Sequence, residues 1–161
     1  MTTTKSFRAK IVGGNIEFQV PAQWLSYATE LTDLEARMLD IRPVFEKFGG
    51  YHLESIARTH AQQGRPKKWR ELAESTKADR KRKGFPPERP ILERTGTMKN
   101  AYAYKYTKTT YWMDNPTPYF KYHQKGTKRI PQRIVIQLLA QDKAQFTRYR
   151  NQYLRGEFGF L

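Results

Sequence analysis

Two short stretches near the start of the chain alternate between apolar and polar residues, as strands with one buried face do. Apolar side chains occupy every second position from Phe7 to Ile11 and again from Ile16 to Val20, on either side of the sequence GGN. This pattern around a Gly and Asn turn predicts a β-hairpin over about residues 6–21. Pro21 predicts the end of the second strand, because it has no N–H to donate to a ladder.

The apolar spacing then changes to intervals of three and four residues, which is typical of a helix. It begins at Leu31 and predicts a helical segment over about residues 31–63, with Thr32 or Asp33 as the N-cap. Pro43 is incompatible with the interior of one straight helix, since it removes a hydrogen bond and clashes with the preceding turn. We therefore expect two helices, the second beginning within residues 40–43, and an irregularity at the Gly pair 49–50.

The segment 65–90 is polar and strongly basic, with ten positive and four negative residues. Its centre, Trp69 to Arg82, predicts a short helix with Trp69, Leu72 and Ala73 on one face, and the following sequence KGFPPERP predicts a loop. The run DRKRKG is suited to contacts with phosphates, and equally to a charged loop that becomes ordered against a neighbouring subunit. The candidate partner or DNA contacts here are Arg80, Lys81, Arg82 and Lys83.

Residues 91–161 predict a second hairpin followed by a C-terminal strand and helix. AYAYKY, at residues 101–106, puts tyrosines on one strand face, which is either a packed sheet face or a stacking platform for single-stranded nucleic acid. The run IVIQLL predicts a strand, and Asp142 is expected to cap a terminal helix. Together these patterns predict one α+β domain over residues 1–161, a small antiparallel sheet of hairpins packed against two to four helices, with a long charged loop.

Composition and charge add predictions about environment and partners. The chain has 161 residues, no cysteine and a net charge of +15. The absence of cysteine excludes disulfides and thiolate metal sites, and neither a signal peptide nor an apolar run long enough for a membrane span is recognisable, so we expect a soluble intracellular protein with no membrane contact. The positive charge predicts acidic partners, either nucleic acid or an acidic protein surface.

Catalytic chemistry finds little support in the sequence. His52 and His60 lie about 12 Å apart along a helix, too far to share a metal ion. No phosphate-binding glycine loop and no nucleophile motif occurs, and Glu71, Glu74 and Asp79 lie among as many cations. We therefore predict no catalytic residue, no metal, no cofactor and no enzymatic activity.

The sequence YHQKGTKRIPQR, residues 122–133, predicts a structural corner. Tyr119, Phe120 and Tyr122 are expected to pack a short helix, and His123 and Gln124 to satisfy backbone groups at its end. Gly126 is expected to stop that helix in a left-handed conformation, and Pro131 to fix the chain as it enters the last strand. The remaining basic residues of this corner are expected to point outward as further partner contacts: Lys125, Lys128 and Arg129.

The order of three stretches resembles the phage virion morphogenesis family, the tail-completion proteins of long-tailed bacteriophages. These stretches are WRELAESTKADRKRKG, PILERTGTMKNAY and YFKYHQKGTKRIPQR, followed by a strand and a terminal helix, and the likeness covers roughly residues 31–155. Trp69 begins the first stretch and Gly96 lies in the second, and both are expected to be structural corners. The family offers no catalytic residues to carry over.

The resemblance implies a structural protein of the phage neck or upper tail, which forms a ring of six or twelve copies joining tail to head. Its partners would be adjacent neck, connector or tail-tube proteins, with non-specific contact to genomic DNA in the channel. Its location would be the virion, and the host cytoplasm during assembly. The alternatives are a free-standing basic nucleic-acid-binding protein, suggested by the charge and the tyrosine hairpin, and an enzyme acting on nucleic acid or cell wall.

Overall fold

The computed structural model describes residues 8–12, 15–19 and 22–159, and side chains for residue 27 and residues 29–159. By its internal contacts the chain divides into two compact units, residues 1–40 and 41–161, where the sequence predicted a single domain. The α+β class is confirmed: the described part contains five helices and two separate two-stranded antiparallel sheets.

The first unit contains the predicted hairpin and one helix. Strands β1 (Arg8–Val12) and β2 (Asn15–Gln19) pair antiparallel with Ile11 opposite Ile16, which confirms the hairpin. Its predicted buried face and the positions of Phe7, Gly13, Gly14, Val20 and Pro21 lie outside what the structure describes.

Helix α1 (Ala22–Leu39) begins well before the predicted start, so Thr32 and Asp33 are interior helix residues and the predicted N-cap is wrong. The first part of α1, AQWLSYATE, has good helix formers but little apolar periodicity, and the spacing signal therefore appeared only at residue 31. The apolar residues Tyr27, Leu31 and Met38 are 60%, 66% and 62% exposed.

The second unit is organised around helix α2 (Arg42–Ala61). Pro43 lies in its first turn, where its missing N–H costs nothing, and this confirms the predicted break before it. The Gly49–Gly50 pair causes no interruption of the helix. The Tyr104 ring occupies the space that a side chain at Gly49 would fill, so Gly49 allows the second hairpin to pack closely on α2.

The remaining elements are short and surround α2. They are helix α3 (Glu74–Arg82), strands β3 (Ala103–Tyr106) and β4 (Tyr111–Asp114), and helices α4 (Phe120–Lys125) and α5 (Ala140–Leu154). The second hairpin, the loop after α3 and the terminal helix are as predicted. Asp142 is at the third position of α5, and its carboxylate accepts from the N–H of Leu139 (2.9 Å) and from the hydroxyl of Ser55 on α2 (2.8 Å).

One predicted element, the helix over Trp69 to Arg82, is shorter than predicted, and another is absent from the described part of the chain. Residues 69–73 are not helical, because the Trp69 backbone N–H donates to Gln63 O and its indole N–H to Ile134 O, which draws the segment into the core. IVIQLL, residues 134–139, forms no strand, because the Gln124 side chain, rather than a neighbouring strand, accepts its N–H groups.

Two sets of buried and half-buried side chains hold the second unit together. Ile56, Trp69, Met98, Phe120 and Val135 form the main core. Aromatic rings from α2, the second hairpin and α5 form the other set, with Phe48 and Phe146 edge to face at 5.3 Å and Phe45 and Tyr111 at 5.8 Å. This confirms that large rings carry much of the packing.

Candidate functional site

A cavity of about 750 Å³ lies beside α3, between the basic segment and the corner after α4. Its walls combine cationic, acidic and apolar side chains. The cationic side chains are Arg70, Arg80, Arg94, Arg129 and Arg133, and the apolar ones are Leu72, Ile91, Leu92, Met98, Ile130 and Pro131.

Arg80 is held inside the protein by the loop that follows α3. Only 4% of the residue is exposed, and its guanidinium donates to the carbonyl oxygens of Arg89 and, at 3.3 Å, Pro90. Burial lowers the pKa of Arg80, and the nearby cations Arg94 and Arg89 lower it further. The prediction of Arg80 as an outward partner contact is therefore wrong, since its head group is used to hold the loop.

Arg133 is the second buried arginine of the cavity, and it is 5% exposed. Its Nη2 donates to Arg70 O at 3.1 Å, and its Nε has no hydrogen-bond partner. Burial lowers the pKa of Arg133, and the charges of Arg80 and Arg70 lower it further. An unpaired buried donor is costly, which makes Arg133 Nε an unusual feature of the cavity wall.

His123 lies in the same wall with its Nδ1 atom buried and without a partner. Burial lowers the pKa of His123, and the charge of Arg133 lowers it further. The ring therefore stays neutral in the folded protein around neutral pH. His123 was predicted to satisfy a backbone group. Its carbonyl oxygen does so by accepting from the Arg133 N–H at 2.7 Å, whereas its ring does not.

Three carboxylates, those of Glu71, Glu74 and Asp79, also line the cavity. Glu74 pairs with Lys77 (2.7 Å), and Asp79 pairs with Arg82 (2.6 Å) and Lys83 (2.9 Å). Among the described residues, no ion pair includes any of the five cavity arginines. The cavity therefore carries an excess of positive charge next to an apolar wall.

The corner after α4 is built largely as predicted, with different partners. The Gln124 side chain accepts from Val135 N (2.9 Å) and Ile136 N (3.2 Å) and donates to Ile136 O (2.6 Å), so it satisfies the segment 134–136 and not the helix end. Gly126 ends α4 with φ 74° and ψ 166°, a conformation open essentially to glycine alone but different from the left-handed helical one predicted. Pro131 lies half-buried in the cavity wall.

The aromatic residues of this corner do not all pack as expected. Phe120 is buried in the core, whereas Tyr119 and Tyr122 are exposed. Trp69 is a core residue, as its predicted structural role requires, and Gly96 has φ 81° in the turn before the second hairpin.

The other predicted contact residues are at the surface. Lys81, Arg82 and Lys83 are exposed at the end of α3, and Lys125, Lys128 and Arg129 are exposed around the corner. Of these six, only Arg129 lines the cavity. The structure thus separates a surface cluster at 81–83 from the arginine cavity.

The tyrosine face of the second hairpin is packed on α2, with Tyr106 6.5 Å from Phe45 and Tyr111 5.5 Å from Phe48. This excludes the tyrosines as an open stacking platform. The opposite face of the hairpin is exposed and presents Lys105 across from Trp112, with the lysine Nζ 5.9 Å from the indole centre.

The other two histidines are buried in the helix core. His52 Nδ1 lies 3.2 Å from Tyr111 Oη, and His60 Nε2 lies 3.1 Å from Tyr102 Oη.

Over the residues described, no cluster of three or more His, Cys, Asp or Glu residues could hold a metal ion. Within the same residues, no helix is long and apolar enough to cross a membrane.

The cavity residues Arg70, Arg94 and Arg133 were not identified from the sequence. Arg133 is the last residue of the stretch YHQKGTKRIPQR, but nothing in a single sequence marks an arginine as buried, since arginines are mostly exposed. No protein-family model, no curated protein and no solved structure matches this chain.

Proposed function

We propose that this protein is a structural subunit of a bacteriophage neck or upper tail, which assembles into a ring that joins tail to head. The proposal begins from the ordered stretches WRELAESTKADRKRKG, PILERTGTMKNAY and YFKYHQKGTKRIPQR. What supports it in the structure is that these three stretches, residues 69–84, 90–102 and 119–133, contribute to one core.

Direct contacts link the three stretches. Trp69 from the first packs in the core with Met98 from the second and Phe120 from the third. Arg133 of the third stretch donates to Arg70 O of the first at 3.1 Å. The observation that carries the proposal is the order of these stretches along the chain, and their packing in one core is compatible with a shared structural role.

The exposed surface suits an assembly protein. The end of α3 presents Lys81, Arg82 and Lys83, and α1 presents the exposed apolar residues Tyr27, Leu31 and Met38. Exposed apolar and basic residues of this kind are used at protein interfaces, where charge complementarity selects the partner.

The proposal predicts that the 81–83 cluster takes part in assembly. Reversing its three charges (Lys81→Glu, Arg82→Glu, Lys83→Glu) is expected to leave the fold intact, because all three side chains are exposed, and to reduce the yield of joined particles by about tenfold or more. Arg80 is left unchanged, since reversing a buried charge would unfold the loop. The assay is complementation of a phage that lacks this gene, with joined particles counted by electron microscopy.

The matched control reverses three exposed cations elsewhere (Lys108→Glu, Lys143→Glu, Arg148→Glu), so that the net charge falls equally. It is expected to complement at nearly the normal level. Normal assembly by the 81–83 variant would remove the cluster from the interface. Full assembly of particles without any of this protein would remove the proposed function itself.

The alternative is a free-standing nucleic-acid-binding protein, favoured by the exposed pair Lys105 and Trp112 on the outer face of the second hairpin. An indole beside a lysine can stack on a base and contact a phosphate. Under this alternative, single-stranded DNA binds tightly at physiological salt, and Trp112→Ala weakens binding by roughly 1–3 kcal/mol. Under the assembly proposal, affinity at that salt is weak and Trp112→Ala changes it little.

A further inference from the structure

The arginine cavity beside α3 has features of a binding site that the assembly role does not explain. Two of its arginines, Arg80 and Arg133, are nearly fully buried, and three more, Arg70, Arg94 and Arg129, surround them. Packing like charges together in a protein interior costs free energy unless an anion offsets it.

The carboxylates of the cavity offset this charge only in part, because Glu71, Glu74 and Asp79 face five arginines and no ion pair among the described residues joins the two sets. Arg80 and Arg133 donate to carbonyl oxygens of the backbone, which satisfy some of their donors but leave the charges uncompensated. Two of these three carboxylates, Glu74 and Asp79, are already paired with lysines and an arginine outside the set of five.

Two unpartnered donors or acceptors lie in the same wall. Arg133 Nε and His123 Nδ1 are buried and have no hydrogen-bond partner. The N-terminus of α3 also lies at the cavity, through Ala73, Glu74 and Thr76, and it adds the positive end of a helix dipole. The arrangement is suited to an oxyanion entering from outside.

We propose that this cavity binds a carboxylate side chain from an acidic, partly apolar segment of a partner protein. The carboxylate would lie against the arginines, and the adjoining apolar side chains of the segment would pack on Leu72, Ile91 and Ile130. Guanidinium groups bind carboxylates in this way through paired, charge-assisted hydrogen bonds.

The shape and lining of the cavity favour a peptide over nucleic acid. Phosphates of a nucleic-acid backbone are contacted by cations at the protein surface, whereas Arg80 and Arg133 are only 4% and 5% exposed. The apolar half of the wall has no counterpart in a sugar-phosphate chain, but it matches the leucine or isoleucine side chains of a peptide. The site is independent of the proposed place of the protein in a virion.

The test measures binding of two peptides to the full-length protein by isothermal titration calorimetry at fixed ionic strength. The first is acetyl-Leu-Glu-Leu-Glu-Leu-amide, and the second has glutamine in place of both glutamates. We expect saturable one-to-one binding of the glutamate peptide, and binding of the glutamine peptide at least about tenfold weaker.

Two pairs of variants locate the site. Arg94→Gln with Arg129→Gln removes two exposed cavity cations and is expected to weaken the glutamate peptide at least about tenfold. Lys125→Gln with Lys128→Gln removes the same charge from exposed residues outside the cavity, and affinity is expected to stay within about twofold. An equal loss in both pairs would overturn the proposal, since it would indicate general charge attraction.

A second readout does not depend on the variants. A carboxylate bound beside His123 raises the pKa of its imidazole, which NMR detects as a shifted titration curve on adding the glutamate peptide. An unchanged curve, or no saturable binding up to about 10 mM peptide, would overturn the proposal. The proposal would also be overturned if inorganic phosphate or an oligothymidylate bound more tightly than the peptide and lost its affinity in the Arg94 and Arg129 variant.

Discussion

The side chain of Gln124 is expected to be one of the main determinants of stability in the second unit. It makes three hydrogen bonds to the backbone of residues 135 and 136, two as acceptor and one as donor. This segment has no sheet partner, and Val135 is only 1% exposed. Water therefore has little access to the backbone groups that Gln124→Ala would leave unpaired.

The expected magnitude follows from these three bonds. At about 1 kcal/mol net for each, Gln124→Ala should lower the free energy of unfolding by about 3 kcal/mol. Domains of this size have roughly 5–15 kcal/mol in total, so the loss is large. It should appear as a lower urea midpoint with an unchanged slope.

Trp69 provides the signal for the assay, because it lies in the core and donates to the carbonyl of Ile134 next to this segment. Fluorescence is recorded in a Trp24→Phe, Trp112→Phe background, which leaves Trp69 as the single tryptophan. The matched control is Gln132→Ala, which removes one exposed 3.2 Å bond to Gln124 O and should cost about 0.5 kcal/mol. A loss below about 1 kcal/mol for Gln124→Ala would refute the reasoning.

Two further predictions concern the same unit. Gly126→Ala should cost about 2–3 kcal/mol by thermal unfolding, because φ is 74° and the new Cβ would lie 3.0 Å from Gln132 N; Gly84→Ala, at φ 75° with no atom nearby, should cost about 1 kcal/mol, and equal losses would contradict the steric argument. Burial lowers the pKa of His60 below its ordinary 6.5, so the unfolded state takes up the proton first and stability should fall as pH decreases below about 6.5. In His60→Gln the free energy of unfolding should decrease less between pH 6.5 and the lower pKa that His60 has in the folded state. An unchanged pH profile would contradict a contribution of His60 to this pH dependence.

The elements with strong local signals were predictable. Period-two alternation identified both hairpins, and Pro43 located the start of α2 to within about a residue, because proline fits the first helical turn. Gly126 was identified as the end of α4 because its position demands a positive φ.

The elements decided by distant contacts were not predictable. IVIQLL has strand composition, yet the Gln124 side chain takes the N–H groups that a strand partner would have bonded. Trp69 looked like the first turn of a helix, but burial of its ring and its bond to Ile134 O outweighed local helix propensity. Arg80 was grouped with its exposed neighbours, since the carbonyls that bury it come from the loop at residues 89 and 90.

The candidate site likewise contains a part that the sequence predicts and a part that it does not. The surface cluster, Lys81 to Lys83, is recognisable in the sequence as a run of positive charge. Its cavity was not, because Arg70, Arg94 and Arg133 are brought together from three separate segments.

The role proposed for this protein is that of a subunit in the ring that joins a phage tail to its head. The most direct measurement is negative-stain electron microscopy of purified virions labelled with gold-conjugated antibody to this protein. If the protein has this role, the label will concentrate at the head-tail junction of intact particles and on the upper end of free tails. Label absent from particles, with the protein found only in the unassembled fraction of the lysate, would contradict it.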